Sequence, residues 1–172
     1  MTMYSVGHST RSLDDFIALL RAHNVVQLAD VRTIPKSRRH PHFSREALDA
    51  SLAAAGIAYR HYAALGGLRR PRPDSRNSAW RHEGFRGYAD YMESGEFEAA
   101  VDALTSWASG ARTAVMCAEA MWWQCHRRLL ADSLAARGIE VRHIMSPTSA
   151  PLHEITAFAR IEATRVSYPG LV

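Results

Sequence analysis

Both cysteines of the chain fall in one stretch, MCAEAMWWQCHRRLL (residues 116–130), together with Glu119, His126 and Arg127. A thiol at a helix start, beside histidine or arginine, is biased toward thiolate, because free amides and a neighbouring cation both favour the anion. Nucleophilic or redox work by Cys117 or Cys125 is therefore one expectation; a cysteine packed as a small buried hydrophobe is the other. A phosphatase-type loop needs Cys-x5-Arg, so that amides and guanidinium together cradle an oxyanion. Here the first arginine after Cys117 is Arg127, and the spacing excludes that loop. Cys-x7-Cys-His also lacks the short paired spacings of zinc sites, and consecutive residues on a helix diverge by about 100°. No metal is expected, the cofactor is left unassigned, and a native disulfide between the two thiols is expected least of all.

Three further groups could take part in acid–base chemistry. Glu119 follows Cys117 closely, Asp30 stands near the end of the apolar run VVQLADV, and His8 follows a glycine in GHS. Each has a plainer role available: Asp30 pairing with Arg32 or a loop arginine, Glu119 accepting from the amides of the next helix, His8 simply hydrogen-bonded. The loop after Asp30, TIPKSRRHPHF, is barred from helix by Pro35 and Pro41 and presents arginine forks suited to phosphate.

Charge reinforces that loop. Residues 32–45 and 69–86 hold 11 of the 21 cations and 2 of the 17 acids, leaving a net of −5 on the remainder. Lys36 is the only lysine, which a GC-rich coding bias would explain, but bias does not explain clustering. An anion-attracting surface is expected, with a nucleotide or nucleic acid as partner. A hydrophobic fraction of 47% and a charged fraction of 22% suit a globular protein. No apolar run is long enough to span a membrane, no basic-then-apolar leader opens the chain, and two free thiols fit a reducing compartment, so the expected address is cytoplasmic. Oligomeric state is not legible.

Positioning these groups falls to alternating strands and helices. Strands are expected around Tyr4–Val6, 25–31, 57–62, 113–116 and 139–144. Helices are expected after Ser12, which has Asp15 in the capping-box position, after Ser44, through Phe85, Tyr88 and Met92, through Phe97, Val101 and Leu104, over 124–136, and last over about 152–162. Residues 69–80 (RRPRPDSRNSAW) read as an excursion or mobile lid, and Trp80, Trp122 and Trp123 as packing more than stacking platforms. The pattern predicts a single α/β domain over residues 1–172, its mostly parallel sheet of about five strands flanked by helices. In such sheets ligands bind beyond the carboxyl ends of the strands. His8-Ser9, Asp30–Arg32, Gly66-Gly67, Cys117–Glu119 and His143 all fall at such ends.

GHS, DVRTIPKSRRHPHF, LGG, FRGYADYM and MCAE…CHRRLLADSLAARGIEVRHI, in this order over about residues 4–145, resemble domain-of-unknown-function family 488. The resemblance implies a small bacterial or archaeal α/β domain and leaves the activity open. It carries over Gly7, His8, Ser9, Asp30, Arg32, Pro35, Ser37, Arg38, Phe43, Gly66, Gly67, Cys117, Glu119, Cys125, His126 and Arg127. Cys117, Glu119, His8 and Asp30 are thus candidates for the chemistry. Ser9, Arg32, Ser37, Arg38, His42, Cys125, His126 and Arg127 are candidates for the ligand. An enzyme acting on a phosphate-bearing ligand is the leading expectation; a nucleic-acid-binding module and a thiol redox or metal-handling protein are the alternatives.

Overall fold

The computed structural model describes residues 1–170. Five strands, β1 (Thr2–Gly7), β2 (Gln27–Asp30), β3 (Ala58–His61), β4 (Thr113–Cys117) and β5 (Glu140–His143), form a parallel sheet in the order β3-β2-β4-β1-β5. Helices α1 (Leu13–Ala22) and α2 (Arg45–Ala54) accompany one face, where Val6, Phe16, Leu28, Leu48, Ala114 and Met116 make one core. The other face packs α3 (Glu83–Tyr91), α4 (Gly95–Ala108) and α5 (Arg127–Ala136), with Met3, Ala29, Tyr88, Val101, Val115 and Leu129 in a second core. The α/β architecture with a parallel sheet is as expected. Every residue of β4 is buried, because apolar layers cover both of its sides.

Alternation decides which polar groups meet. Met3 and Val115 face α3–α5, whereas Val6, Ala114 and Met116 face α1 and α2. Ser5 and Gly7 on β1, and Cys117 on β4, therefore share the α5 side. The register sets Gly7 opposite Cys117 and Ser5 opposite His143.

Ser12 caps α1 as expected, its hydroxyl accepting the Asp15 amide at 3.1 Å. Ser44 stands at the N-cap of α2 but makes no capping bond there; its hydroxyl accepts the Ser37 amide instead. The helix expected from residue 124 starts later: Trp122–Gln124 is a single 3-10 turn, Cys125 is extended, and His126 is the N-cap of α5.

The helix expected over 152–162 does not form. Leu152 bridges Arg142 in antiparallel fashion, the His153 amide donates to Val141 O, and β6 (Arg160–Glu162) turns through Ala163 into β7 (Arg165–Ser167). Leu152, Ile155, Phe158 and Ile161 mimic a helical stripe, yet all stay at least 40% exposed. Buried polar bonds made by His153, Thr156 and Tyr168 outweigh that local pattern. Residues 69–80 are also tied down: Asp90 accepts from the Arg72 amide, Ser75 Oγ and Asn77 Nδ2, and Asn77 Oδ1 accepts the Tyr168 amide. Trp80 is buried, its ring packed edge-on against Phe85, Phe158 and Tyr168.

Candidate active site at the strand ends

A cavity of about 380 Å³ opens beyond the carboxyl ends of β2 and β4, within the range of small-ligand sites. Arg32, Lys36, Gly67, His82, Cys117, Glu119, Cys125 and His126 are among the residues lining it. The two thiols lie 2.7 Å apart, sulfur to sulfur, and both cysteines are free. Two close approaches make the neighbouring glycines obligatory. A Cβ on Gly7 would stand 1.7 Å from Glu119 O, and one on Gly67 would stand 2.6 Å from His126 Nδ1. Those clashes explain GHS and LGG physically.

Arg127 lies behind the thiols, buried, with all three of its guanidinium nitrogens donating. Its Nε donates to Cys117 Sγ at 3.0 Å, Nη1 to Ser5 Oγ at 3.1 Å, and Nη2 to the carbonyls of Glu119 and Ala120. Burial by itself pushes both thiols up. At Cys125 the Cys117 hydrogen bond and the Arg127 charge and amide outweigh burial, and the thiol falls to about 7. Cys117 is held well above the ordinary thiol value by burial and by its partner. The two thiols titrate as one interacting pair, with the first proton released more readily than the second. His126 donates Nε2–H to Val31 O at 2.8 Å, which leaves Nδ1 as a lone-pair acceptor 3.4 Å from Cys125 Sγ. Burial lowers the affinity of His126 for a second proton.

Arg32 forms the cationic wall. Its Nε and Nη2 grip both oxygens of Asp30 at 2.9 and 2.7 Å, Nη2 also reaches Phe43 O, and Nη1 lies 3.5 Å from His8 Nε2. Asp30 receives two more bonds, from the Arg32 amide and from Tyr59 Oη at 2.5 Å. Four donors fill the lone-pair directions of a carboxylate, so Asp30 orients Arg32 and has no direction free to accept a substrate proton. His8 donates Nδ1–H to Ser9 O, stacks on Phe43 at 4.2 Å, and is held neutral by burial, down to about 4. Ser9 adopts a left-handed backbone (φ 51°), and its amide donates to Ala118 O.

The candidates therefore separate into groups. Arg32, Cys117, Glu119, Cys125 and His126 share the cavity, with Asp30, His8 and Arg127 directly behind them. The Glu119 side chain is exposed, and its backbone carbonyl makes the contact to Arg127. Ser37 and the exposed Arg38 line a different depression, of about 640 Å³, with Arg45 and His61. His42 packs on Phe43 and bonds to Arg11 O. Lys36 and His82 were not singled out as site residues by spacing. Nor, apart from His143 at the end of β5, was the buried set behind Arg127, in which Ser5, His143, His153 and Asp132 are joined by hydrogen bonds. Asp132 left a trace in the sequence, as an acid inside the apolar face of α5. Among the described residues no three His, Cys, Asp or Glu side chains are disposed to hold a metal ion.

The model of the family described as "Domain of unknown function DUF488" matches residues 12–134, most of the chain and the ends of β2 and β4 beyond which the cavity opens. The chain belongs to this family. The match is narrower than the resemblance at both ends, leaving GHS and the β5 segment outside it. No curated protein and no solved structure matches the chain. Among the described residues no helix of this DUF488 member is long and apolar enough to cross a membrane.

Proposed function

We propose that this DUF488 chain is an enzyme acting on a phosphate-bearing ligand in the strand-end cavity, with the Cys125 thiolate as the reacting group. The observation carrying this reading is a pair of free thiols 2.7 Å apart on the wall of a cavity whose other charged residues, Glu119 aside, are Arg32 and Lys36; against burial, the Cys117 hydrogen bond and Arg127 draw the Cys125 thiol down to about 7. Arg32 Nη1, left over from the Asp30 grip, and Lys36 supply the anion contacts, and His126 Nδ1 is the proton acceptor within reach of the nucleophile. Iodoacetamide alkylation of the folded protein tests it. Cys125 is expected to react with a midpoint near pH 7, Cys125→Ala to remove that phase, and a nucleoside monophosphate or inorganic phosphate to slow it. Arg32→Met is expected to abolish the protection. A midpoint above 9, or no protection by either anion, overturns the assignment.

The 2.7 Å sulfur contact favours a second reading, dithiol redox exchange. The Cys125 thiolate attacks a substrate disulfide and expels one thiolate. Cys117, after losing its proton, then attacks the mixed disulfide, releasing the second thiol and leaving a Cys117–Cys125 bond about 2.05 Å long. Titration with oxidised glutathione, read by intact mass, separates the two: loss of two hydrogens supports exchange, and a persistent glutathione adduct or an unmodified mass counts against it.

A further inference from the structure

Behind the thiols lies an unbroken chain of buried polar groups that the proposed chemistry leaves unused. Ser5 Oγ is 2.5 Å from His143 Nδ1, His143 Nε2 is 2.9 Å from His153 Nδ1, and His153 Nε2 is 2.7 Å from Asp132 Oδ1. Asp132 also accepts from the Thr156 amide and from Tyr168 Oη at 2.7 Å. Ser5 and Asp132 are fully buried and both imidazoles nearly so, so none of these groups meets a ligand directly.

One proton arrangement with both imidazoles neutral satisfies every donor. His153 Nε2–H donates to Asp132, His143 Nε2–H donates to His153 Nδ1, and the Ser5 hydroxyl donates to His143 Nδ1. Burial holds His143 in its neutral form, and Trp122 stacks flat on its ring at 4.2 Å. With its proton drawn toward His143, the Ser5 oxygen turns its lone pairs to Arg127 Nη1 at 3.1 Å. Arg127 Nε in turn meets Cys117 Sγ at 3.0 Å. Ser5 would otherwise be a free rotor beside a buried guanidinium.

We propose that Asp132, His153, His143 and Ser5 are positioning residues, a buried relay that locks Arg127 onto the Cys117–Cys125 pair. This rests on the thiol reading above, and deepens it by joining the site to the segment after β5, which supplies His153, Thr156 and Tyr168. The other groups around the thiols and Arg127 come from several elements: His126 at the N-cap of α5 and Tyr88 from α3 face the thiols, Arg69 after β3 acts on Tyr88 and His126, Arg11 after β1 acts on Arg127, and Arg32 after β2, with Lys36 and Glu119, shares the cavity wall. None of these belongs to the relay, so its contribution is separable from theirs.

Ser5→Ala interrupts the relay at its Arg127 end, His153→Gln interrupts it beside Asp132, and Ser5→Thr keeps the hydroxyl. Two readouts are needed: the pH profile of Cys125 alkylation, and the exchange rate of the Arg127 Nε–H proton by NMR. Both interrupting variants are expected to raise the alkylation midpoint by about one pH unit, slowing reaction at neutral pH by up to about tenfold. Both are also expected to speed Nε–H exchange, Ser5→Thr to restore both values, and the double variant to add little to either single change, as for members of one network. If His153→Gln does not fold, Ser5→Ala against Ser5→Thr decides alone. Folded Ser5→Ala protein with both readouts at wild-type values overturns the relay. A wild-type protein lacking a near-neutral thiol, but with Arg127 exchange sensitive to Ser5→Ala, overturns the thiol reading and leaves the relay standing.

Discussion

At the scale of single residues, the candidate site separates groups that line the cavity from groups that hold them in place. Asp30 and Arg32 are two positions apart and hold each other in a bidentate pair, and with Tyr59 and Phe43 O filling the remaining directions only Arg32 Nη1 faces His8. Removing one partner of such a pair strands a buried charge. Asp30→Ala is therefore expected to cost about 3–5 kcal/mol, read from the urea midpoint. Asp30→Ala/Arg32→Met is expected to recover a good part of that loss, because no unpaired charge remains. A single variant with wild-type stability would show that the pair is not desolvated as the geometry requires.

Among the elements, the least regular segments carry the most consequential bonds. Residues 69–80 run without helix or strand, yet Asn77 is buried and ties Asp90 in α3 to Tyr168 beyond β7. Asn77→Ala leaves the Asp90 carboxylate and the Tyr168 amide each short of a partner, at an expected cost of about 1–3 kcal/mol. Limited trypsin digestion checks it: cleavage after Arg76 is expected to be slow in the wild type and fast in Asn77→Ala. Equal rates would mean that the segment is held by something other than Asn77. The segment from 152 onward follows the same logic, giving up a helical stripe to deliver His153 and Tyr168 to Asp132.

For the molecule as a whole, buried neutral histidines set the acid limit. His8 falls from 6.5 to about 4 on folding, and His126 and His143 move the same way, each chiefly through burial. Below about pH 6.5 the unfolded chain takes up protons that the folded chain refuses, so stability is complete above that pH and declines as pH falls. His8 alone is expected to remove about 3 kcal/mol between pH 7 and 4. Urea midpoints measured across that window should fall, and His8→Gln should flatten part of the slope. A midpoint independent of pH would contradict the burial of these rings.

What the sequence determined by itself is the frame. Apolar runs such as VVQLADV, the Ser12 cap and the glycines at 56 and 138 are short-range signals, and they are enough to specify alternating strands and helices, a parallel sheet, and the edge at which these polar residues gather. What only tertiary structure decided is which polar groups become partners. Arg32 and Arg38 look equivalent in one basic loop, yet one is buried on Asp30 and the other lines a separate depression. Cys117 and Cys125 meet because a 3-10 turn folds eight residues back on themselves, and Ser5 meets His143 across 138 positions. Periodicity acts between neighbours along the chain, whereas an unpaired polar group becomes costly only once a core has excluded water around it. That cost selects the partners, and it does not exist before the sheet and helices have closed.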